Sequence, residues 1–370
     1  MPGKPQQIRL CFAALEQPEW LTERARGLAR YLGPDIQVSQ LFIGTRGLRG
    51  SWRGFRSLLQ AGRKAEVLYL ISMHPVRVLA AWLARLLFKS RFVVDTGDLL
   101  YEQAKTRGDA RWRCWFTSGW EAICLRLPDA LVVRGSLHLR LLVERGFHNV
   151  TFIPDGVDPA SLRPMKNRRL RDQLGLKDKI TVGILATVGW DPHLRLPSPG
   201  WDLVACLARL PELPLHGLVI GDGPGLPQLK ELCRTQGLED RVTFLGRVPY
   251  AELPACLGLL DICLHTALNN RMSMVRTTGK LPVLLACGGC LVVSAVGEAT
   301  RVLKDTGMLL PFDGTPEEYG KALAARVRRL VTEGNFDRYR QRGPEIVRRE
   351  FAYQVLSQRV EDLVQRLVNA

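Results

Sequence analysis

No apolar run in this chain reaches the roughly 18 residues needed to cross a bilayer, which excludes a transmembrane helix as its organising element. Its opening residues, Met1-Pro2-Gly3-Lys4, carry no secretory apolar region, and the first hydrophobic stretch reads as a strand, so the cytoplasm is the expected compartment. The nine cysteines lack the paired spacing of a disulfide framework. Cys287 and Cys290 form a C-x-x-C with no second pair or histidines following, so they read as buried thiols, and no metal site is expected. There is no repeat of about 20–50 residues and no low-complexity tract. A G-x-G-x-x-G fingerprint is missing too, which disfavours a dinucleotide oxidoreductase. Acidic side chains are in deficit: 36 against 52 Lys and Arg leave a net charge of +16. An anionic partner follows, whether a nucleotide phosphate, a phospholipid headgroup or nucleic acid. Because no nucleic-acid module is recognisable, nucleic acid is not expected.

What is present is ordinary for a folded chain, 46% hydrophobic and 24% charged over 370 residues, a length that calls for about two domains. In the first half, Ile8–Ala14, Val38–Ile43, Val67–Ile71, Phe92–Asp95, Ala130–Val133 and Val150–Ile153 read as short strands. They alternate with helical patterns at Glu19–Tyr31, Arg53–Gly62, Val76–Phe88, Arg111–Leu125 and Leu137–Arg145. Pro154 to Lys179 is rich in charge, proline and turn residues and reads as the crossing between domains. The alternation then restarts, with strands at Ile180–Ala186, His216–Ile220, Val242–Leu245, Ile262–His265, Cys290–Ser294 and Gly307–Pro311, and turns almost wholly helical after Pro316. Strand–helix alternation predicts α/β halves with parallel, doubly wound sheets. The expected division is residues 1–165, residues 166–340, and a C-terminal helix in 341–370 packing back on the first domain.

Three segments in register carry a family resemblance: Val150 to Asp158 (VTFIPDGVD), Leu218 to Pro224 (LVIGDGP) with Glu239 to Arg247 (EDRVTFLGR), and Lys280 to Gly289 (KLPVLLACGG) with Val292 to Glu298 (VVSAVGE). Together they resemble the retaining GT-B glycosyltransferases of group 1 (family 4). The resemblance implies two Rossmann-like domains facing a cleft, with a nucleotide-sugar as donor substrate, no further cofactor, and a glycan or lipid-linked acceptor. The residues suit such a site. Gly221 and Gly223, around Asp222, follow a strand, where the absence of a Cβ lets backbone approach a ligand. Gly288 and Gly289 turn a helix directly into a strand, and the Gly297–Glu298 turn opens a helix whose N–H groups could receive a diphosphate. Each glycine reads equally as a tight turn alone.

Departures from the family pattern fall on its chemistry. The family's glutamate pair, which contacts donor sugar and ribose, corresponds to Val275 and Val283 here. A ribose would lose charge-assisted bonds worth on the order of 1.5–3 kcal/mol each. The family's arginine and lysine for the diphosphate fall on Trp190 and Pro199, leaving Arg195 and Lys280 as candidate replacements beside their plainer readings as a loop arginine and a helix-edge lysine. In the segment Val93 to Asp98, Gly97 stands where the family has a histidine, while Asp95 and Asp98 remain at a strand end facing the acceptor. Asp98 reads equally as a helix cap, and His74 as either a cleft-facing residue or a surface turn histidine.

The first 165 residues carry roughly +10 of the charge, and three helical stretches interleave aromatics with arginine: Ser51 to Leu59, Ala80 to Lys89 and Ala110 to Phe116. Such composition suits an anionic headgroup boundary, so peripheral association with the inner face of a membrane is an expectation. The alternative makes Trp82 and Trp115 core residues. The leading functional expectation is sugar transfer with retention, its leaving group stabilised by Arg195, Lys280 and backbone N–H groups, with Asp98 in the acceptor half. A non-catalytic GT-B protein that binds a glycan or partners an active transferase, and a sugar-nucleotide epimerase, stay open as alternatives.

Overall fold

The computed structural model describes residues 7–44 and 47–369, so the Met1–Lys4 stretch lies outside the described residues. The chain divides into two compact units: Met1–Asp158 with Met274–Gly279 and Phe351–Ala370, and Pro159–Ser273 with Lys280–Glu350. The first crossing thus comes at Asp158 rather than after residue 165. Pro164 and Met165, read as linker, pack within the second unit against Gly288 and Gly258. The chain rejoins the first unit at Phe351, later than the expected 341.

In the first unit β1 (Ile8–Leu15), β2 (Ile36–Ile43), β3 (Val67–Ile71), β4 (Arg91–Thr96), β5 (Ala130–Val133) and β6 (Val150–Phe152) form one parallel sheet, ordered β2-β1-β3-β4-β5-β6. Alternate side chains feed two cores, as the two-residue period of a strand requires. Leu10, Phe12, Tyr69 and Val93 face one core; Cys11, Leu68, Leu70 and Phe92 face the other. Helix Tyr353–Asn369 closes the first core with Leu356, Val360, Leu363, Val364 and Leu367, an apolar stripe at helical spacing. Its start is tied by Tyr353 N–H donating to Val157 O at 3.0 Å. Helices Gly47–Lys64, Pro75–Phe88 and Arg111–Arg126 cover the second core.

The second unit holds β7 (Ile180–Thr187), β8 (Gly189–Asp191), β9 (Leu196–Ser198), β10 (Leu215–Asp222), β11 (Val242–Gly246), β12 (Ile262–His265), β13 (Cys290–Ser294) and β14 (Leu309–Leu310). Its parallel sheet runs β11-β10-β7-β12-β13-β14, and β8 and β9 make a separate antiparallel hairpin. Helix Pro316–Glu333 begins in a capping box: Glu318 N–H donates to Thr315 Oγ1 at 3.2 Å, and Thr315 N–H to Glu318 Oε2 at 2.7 Å. Cys287 and Cys290 are buried free thiols, each pushed up to about 12 by that burial. Both units are the doubly wound α/β sheets expected from the alternation. The hairpin, helix Leu100–Thr106 and helix Arg168–Gln173 are additions that it did not reveal.

One buried polar cluster organises the carboxyl ends of the first sheet. Asp95, fully buried at the end of β4, accepts from Arg24 Nε at 2.8 Å, Tyr69 Oη at 2.9 Å and Arg134 Nε at 2.9 Å. Asp155 pairs with both guanidinium groups, at 3.4 Å from Arg24 and 3.3 Å from Arg134. Burial pushes the Asp95 carboxyl upward, but the charges of Arg24 and Arg134 outweigh it and hold it below the usual carboxylate range. Removing this carboxylate leaves two buried guanidinium groups sharing only Asp155. Asp95→Ala should therefore lower the unfolding free energy in urea by about 3–5 kcal/mol; a loss under about 1 kcal/mol would show that the cluster does not hold the sheet. Because the folded pKa is lowered, Asp95 contributes its stability above the ordinary carboxylate pKa, and that contribution disappears as pH falls through the lowered folded value. Acid unfolding of the wild type should show this loss and Asp95→Ala should not.

Candidate ligand-binding edges of the two sheets

In open parallel sheets, ligands lie outside the carboxyl ends of strands, at the point where strand order reverses. The first sheet starts at β1, adds β2 on one side and β3 on the other, so its reversal lies between β1 and β3. Beyond β3 come Ser72, with φ of 87°, and then His74, the residue preceding helix Pro75–Phe88. His74 is half-buried and its Nδ1 has no partner among the described residues. Burial, then the charge of Arg77, lowers its pKa. Arg77 is buried, donates from NH2 to Ser72 Oγ at 3.0 Å and from NH1 to Ile71 O at 3.4 Å, and its Nε has no partner.

Along the same edge, Asp95 is not available to an acceptor, contrary to the sequence expectation: its carboxylate is sealed inside the cluster described above. Asp98 caps nothing, since helix Leu100–Thr106 starts after Leu99 without a side-chain cap; its Oδ1 accepts from Arg276 NH1 at 2.7 Å. The family histidine position is sterically closed, because a Cβ on Gly97 would stand 2.8 Å from Arg134 Cδ. Arg134 cannot readily yield, being clamped by Asp95 and Asp155. Thr277 N–H donates to Arg134 O at 3.0 Å and its hydroxyl does so at 2.6 Å, which packs Val275 out of solvent against Gly135. His138, on helix Ser136–Glu144, is buried with neither ring nitrogen partnered. Burial, with a smaller push from Arg145, lowers its pKa to about 4.

In the second sheet the order reverses between β7 and β12. β7 runs into the β8–β9 hairpin, which carries the departures from the family's cations: Trp190 is exposed opposite Pro197, and Pro199 follows β9. Arg195 sits exposed in the hairpin turn at φ 54° and makes no hydrogen bond or ion pair among the described residues. At the end of β10, the Cβ directions of Gly221, Gly223 and Gly225 are occupied by the carbonyl oxygens of Ala186, Val188 and Gly189. These glycines bring two strand ends into backbone contact, reinforced by Val188 N–H donating to Asp222 O at 2.9 Å. The exposed Asp222 accepts from Gly223 N–H at 2.7 Å through its side chain.

Beyond β12 lies the cationic part of this edge. His265 ends the strand, and its pKa is lowered to about 4 by burial and by the charge of Lys280, the first residue of helix Lys280–Ala286. Val283 lies buried in that helix. Gly288 faces Pro164, and a Cβ on Gly289 would stand 2.6 Å from Cys263 Sγ, so both serve close packing. Gly297, at φ 58° and ψ −134°, makes the turn into helix Glu298–Val302 that a residue with a Cβ would resist. Glu298 is buried and paired with Arg301, whose NH2 also reaches Glu350 at 3.0 Å. Reading by motif therefore missed Arg77, His138, His265 and Arg276. For Arg77 a signal existed, because it precedes the buried Ala80, Ala81 and Ala84 by helical spacing.

Residues 201–333 match the family model described as glycosyl transferases group 1. The 2-deoxystreptamine glucosyltransferase of Streptomyces kanamyceticus is 30% identical over 50% of this chain and 46% of its own length. The GDP-mannose-dependent alpha-(1-6)-phosphatidylinositol monomannoside mannosyltransferase of Mycolicibacterium smegmatis is 28% identical over 44% of this chain and 43% of its own. The chain thus spans about half the length of these curated relatives. Among solved structures, Anabaena Alr3699/HepE in complex with UDP-glucose superposes with a TM-score of 0.74 at 16% identity, covering 98% of this chain and 100% of that one. The chain has the GT-B fold, and residues 201–333 of its second unit are similar to the glycosyl transferases group 1.

Proposed function

We propose that this chain is a glycosyltransferase moving a sugar, with retention, from a nucleotide-sugar onto a glycan or lipid-linked acceptor. The observation that carries the reading is the match of the second unit to the transferase family, in a sheet whose strand-order reversal holds Lys280 beside His265. With its pKa near 4, His265 is neutral at pH 7, leaving Lys280 as the positive charge at the end of β12. A lysine there stabilises the charge that develops on a departing nucleoside diphosphate, and the N–H groups after Gly297 add to it. Retention in this scheme needs no side-chain nucleophile: the diphosphate oxygen takes the acceptor hydroxyl's proton as the new glycosidic bond forms on the face being vacated. Binding and positioning then supply the rate.

The acceptor is assigned to the first unit and an anionic membrane. Helices Gly47–Lys64 and Pro75–Phe88 contain no acidic residue, and Arg111–Arg126 contains only the buried Glu121. Trp52, Leu86, Leu87, Trp112 and Phe116 are exposed on them, and Trp115 is 79% exposed, while Trp82 packs on the core. Aromatic side chains of this kind enter the headgroup boundary while neighbouring arginines meet lipid phosphates. The mycobacterial relative, by its name, acts on a phosphatidylinositol mannoside.

A second reading, a non-catalytic binding protein, is favoured by Val275 and Val283, both buried and apolar at the family's glutamate positions. A thermal-shift titration against UDP, GDP, ADP and dTDP separates the two. Saturating binding by one nucleotide, worth about 2.7 kcal/mol at a hundredfold excess over Kd, supports the transferase; no shift with any of them in a folded sample favours the second reading. With the nucleotide known, Lys280→Ala should abolish transfer and leave the unfolding midpoint near that of the wild type; unchanged turnover removes Lys280 from the mechanism. Trp115→Ala with Phe116→Ala should weaken sedimentation with phosphatidylglycerol vesicles by roughly tenfold or more without affecting stability, and equal binding would place the membrane contact elsewhere.

A further inference from the structure

The described residues include three buried arginines, and they divide sharply. Arg24 and Arg134 each contact both Asp95 and Asp155. Arg77, only 3% exposed, has no carboxylate within ion-pair distance among the described residues, and its Nε is unpartnered. A buried charge without a counter-charge opposes folding, so an arginine retained there calls for an anion from outside the chain.

We propose that Arg77, with Ser72 and His74, forms a binding site for a phosphate group at the carboxyl edge of the first sheet. The cluster lies beyond β3, one of the two strands that flank the reversal of strand order, where ligands of such sheets collect. Helix Pro75–Phe88, 14 residues long, begins at the same point, and its positive end faces whatever binds there. Three neighbouring side chains offer donors: the Arg77 guanidinium through Nε, the Ser72 hydroxyl, which accepts from Arg77 and keeps its own proton to give, and His74, close enough to feel the charge of Arg77, in the tautomer with the proton on Nδ1. Three separate donors suit a tetrahedral group with several free oxygens better than a planar carboxylate. Ser72 and His74 are half-buried residues, while the unpartnered Arg77 Nε and His74 Nδ1 are themselves shut from solvent, so a phosphate reaches them by displacing the local packing of the Ser72–His74 turn. The inference does not depend on sugar transfer, and it uses neither Lys280 nor any other part of the second unit.

The test uses the full chain, with inorganic phosphate and glycerol 3-phosphate as probes and sodium chloride at matched ionic strength as the control. The unfolding midpoint of the wild type should rise saturably with phosphate and not with chloride. Arg77→Met should lose that rise, and in phosphate-free buffer should unfold at or above the wild-type midpoint, because it removes an uncompensated charge. His74→Ala, at a half-buried position, should fold normally and bind phosphate several-fold more weakly, which keeps the test open if Arg77→Met does not fold. Vesicles of phosphatidylcholine with and without phosphatidic acid identify the source. A preference for phosphatidic acid that Arg77→Met or His74→Ala removes assigns a lipid headgroup; a phosphate response with vesicle binding unaffected by these variants assigns a soluble phosphate compound. A wild type that responds to neither phosphate nor phosphatidic acid, or variants that respond as it does, would overturn the proposal. Because nucleotide binding is read separately, this result stands or falls independently of the transferase reading.

Discussion

The buried carboxylate of Asp95 ties together three separate elements of the first unit. Its two oxygens take three donors, from a helix, from the neighbouring strand β3 and from the residue just beyond β5. Arg24, once held, also donates to Pro154 O at 2.6 Å and Ile153 O at 2.9 Å, fastening helix Glu19–Arg30 to the end of β6. Desolvation of so many charges is costly, and such a cluster is tolerated when every partner is satisfied. Among the described residues Arg24 and Arg134 meet that condition and Arg77 does not, and that contrast gives the latter its interest.

A clamped Arg134 also accounts for two departures that look unrelated in the sequence. Gly97 is required because a side chain there would press on the Arg134 stem. Val275 is buried because the 274–279 segment hydrogen-bonds to the Arg134 carbonyl and lies against Gly135. The absence of a histidine and the absence of a glutamate thus become neighbouring consequences of one arrangement around Arg134, whose own counter-charges, Asp95 and Asp155, are committed to structure.

Much of the fold was legible because buried parallel strands are short, continuous apolar runs, and Val67–Ile71 and Ala130–Val133 have no other plausible reading. The β8–β9 hairpin was hidden because its strands are three residues each, too short for a period to register, with a proline at 197 inside β9 and another at 199 just after it. Helix Arg168–Gln173 was hidden by its charge: four of the first five residues after its cap, Asn167, are charged, which imitates a linker. The site was less legible than the fold. Asp95 stands in the strand-end position where a ligand carboxylate belongs, and only its long-range partners, Arg24 and Arg134, reveal it as structural. The glycines of Gly221 to Gly225 sit where a nucleotide loop would, yet their open sides are filled by backbone of the adjoining strand end. Sequence spacing records where a side chain is missing but not what fills the space.

These substitutions constrain how a nucleotide could be held in the second unit. Without a carboxylate at position 283 a bound ribose would have no charge-assisted acceptor from that helix, and with tryptophan at 190 and proline at 199 a diphosphate would lack two of the family's cations near the start of the unit. In the proposed transferase Lys280 would then carry a larger share of the electrostatic work, beside a histidine whose own charge is suppressed. A site of this composition would bind through the diphosphate and through backbone N–H groups more than through the sugar hydroxyls of the nucleoside. Affinity of that kind falls with ionic strength, since an ammonium–phosphate attraction is screened where a buried carboxylate–hydroxyl bond is not. The same logic would govern the proposed membrane contact of the first unit, whose helices Gly47–Lys64 and Pro75–Phe88 carry no acidic residue. In the proposed transferase both units would recognise their ligands through cations, the first through its basic helices and the second through Lys280.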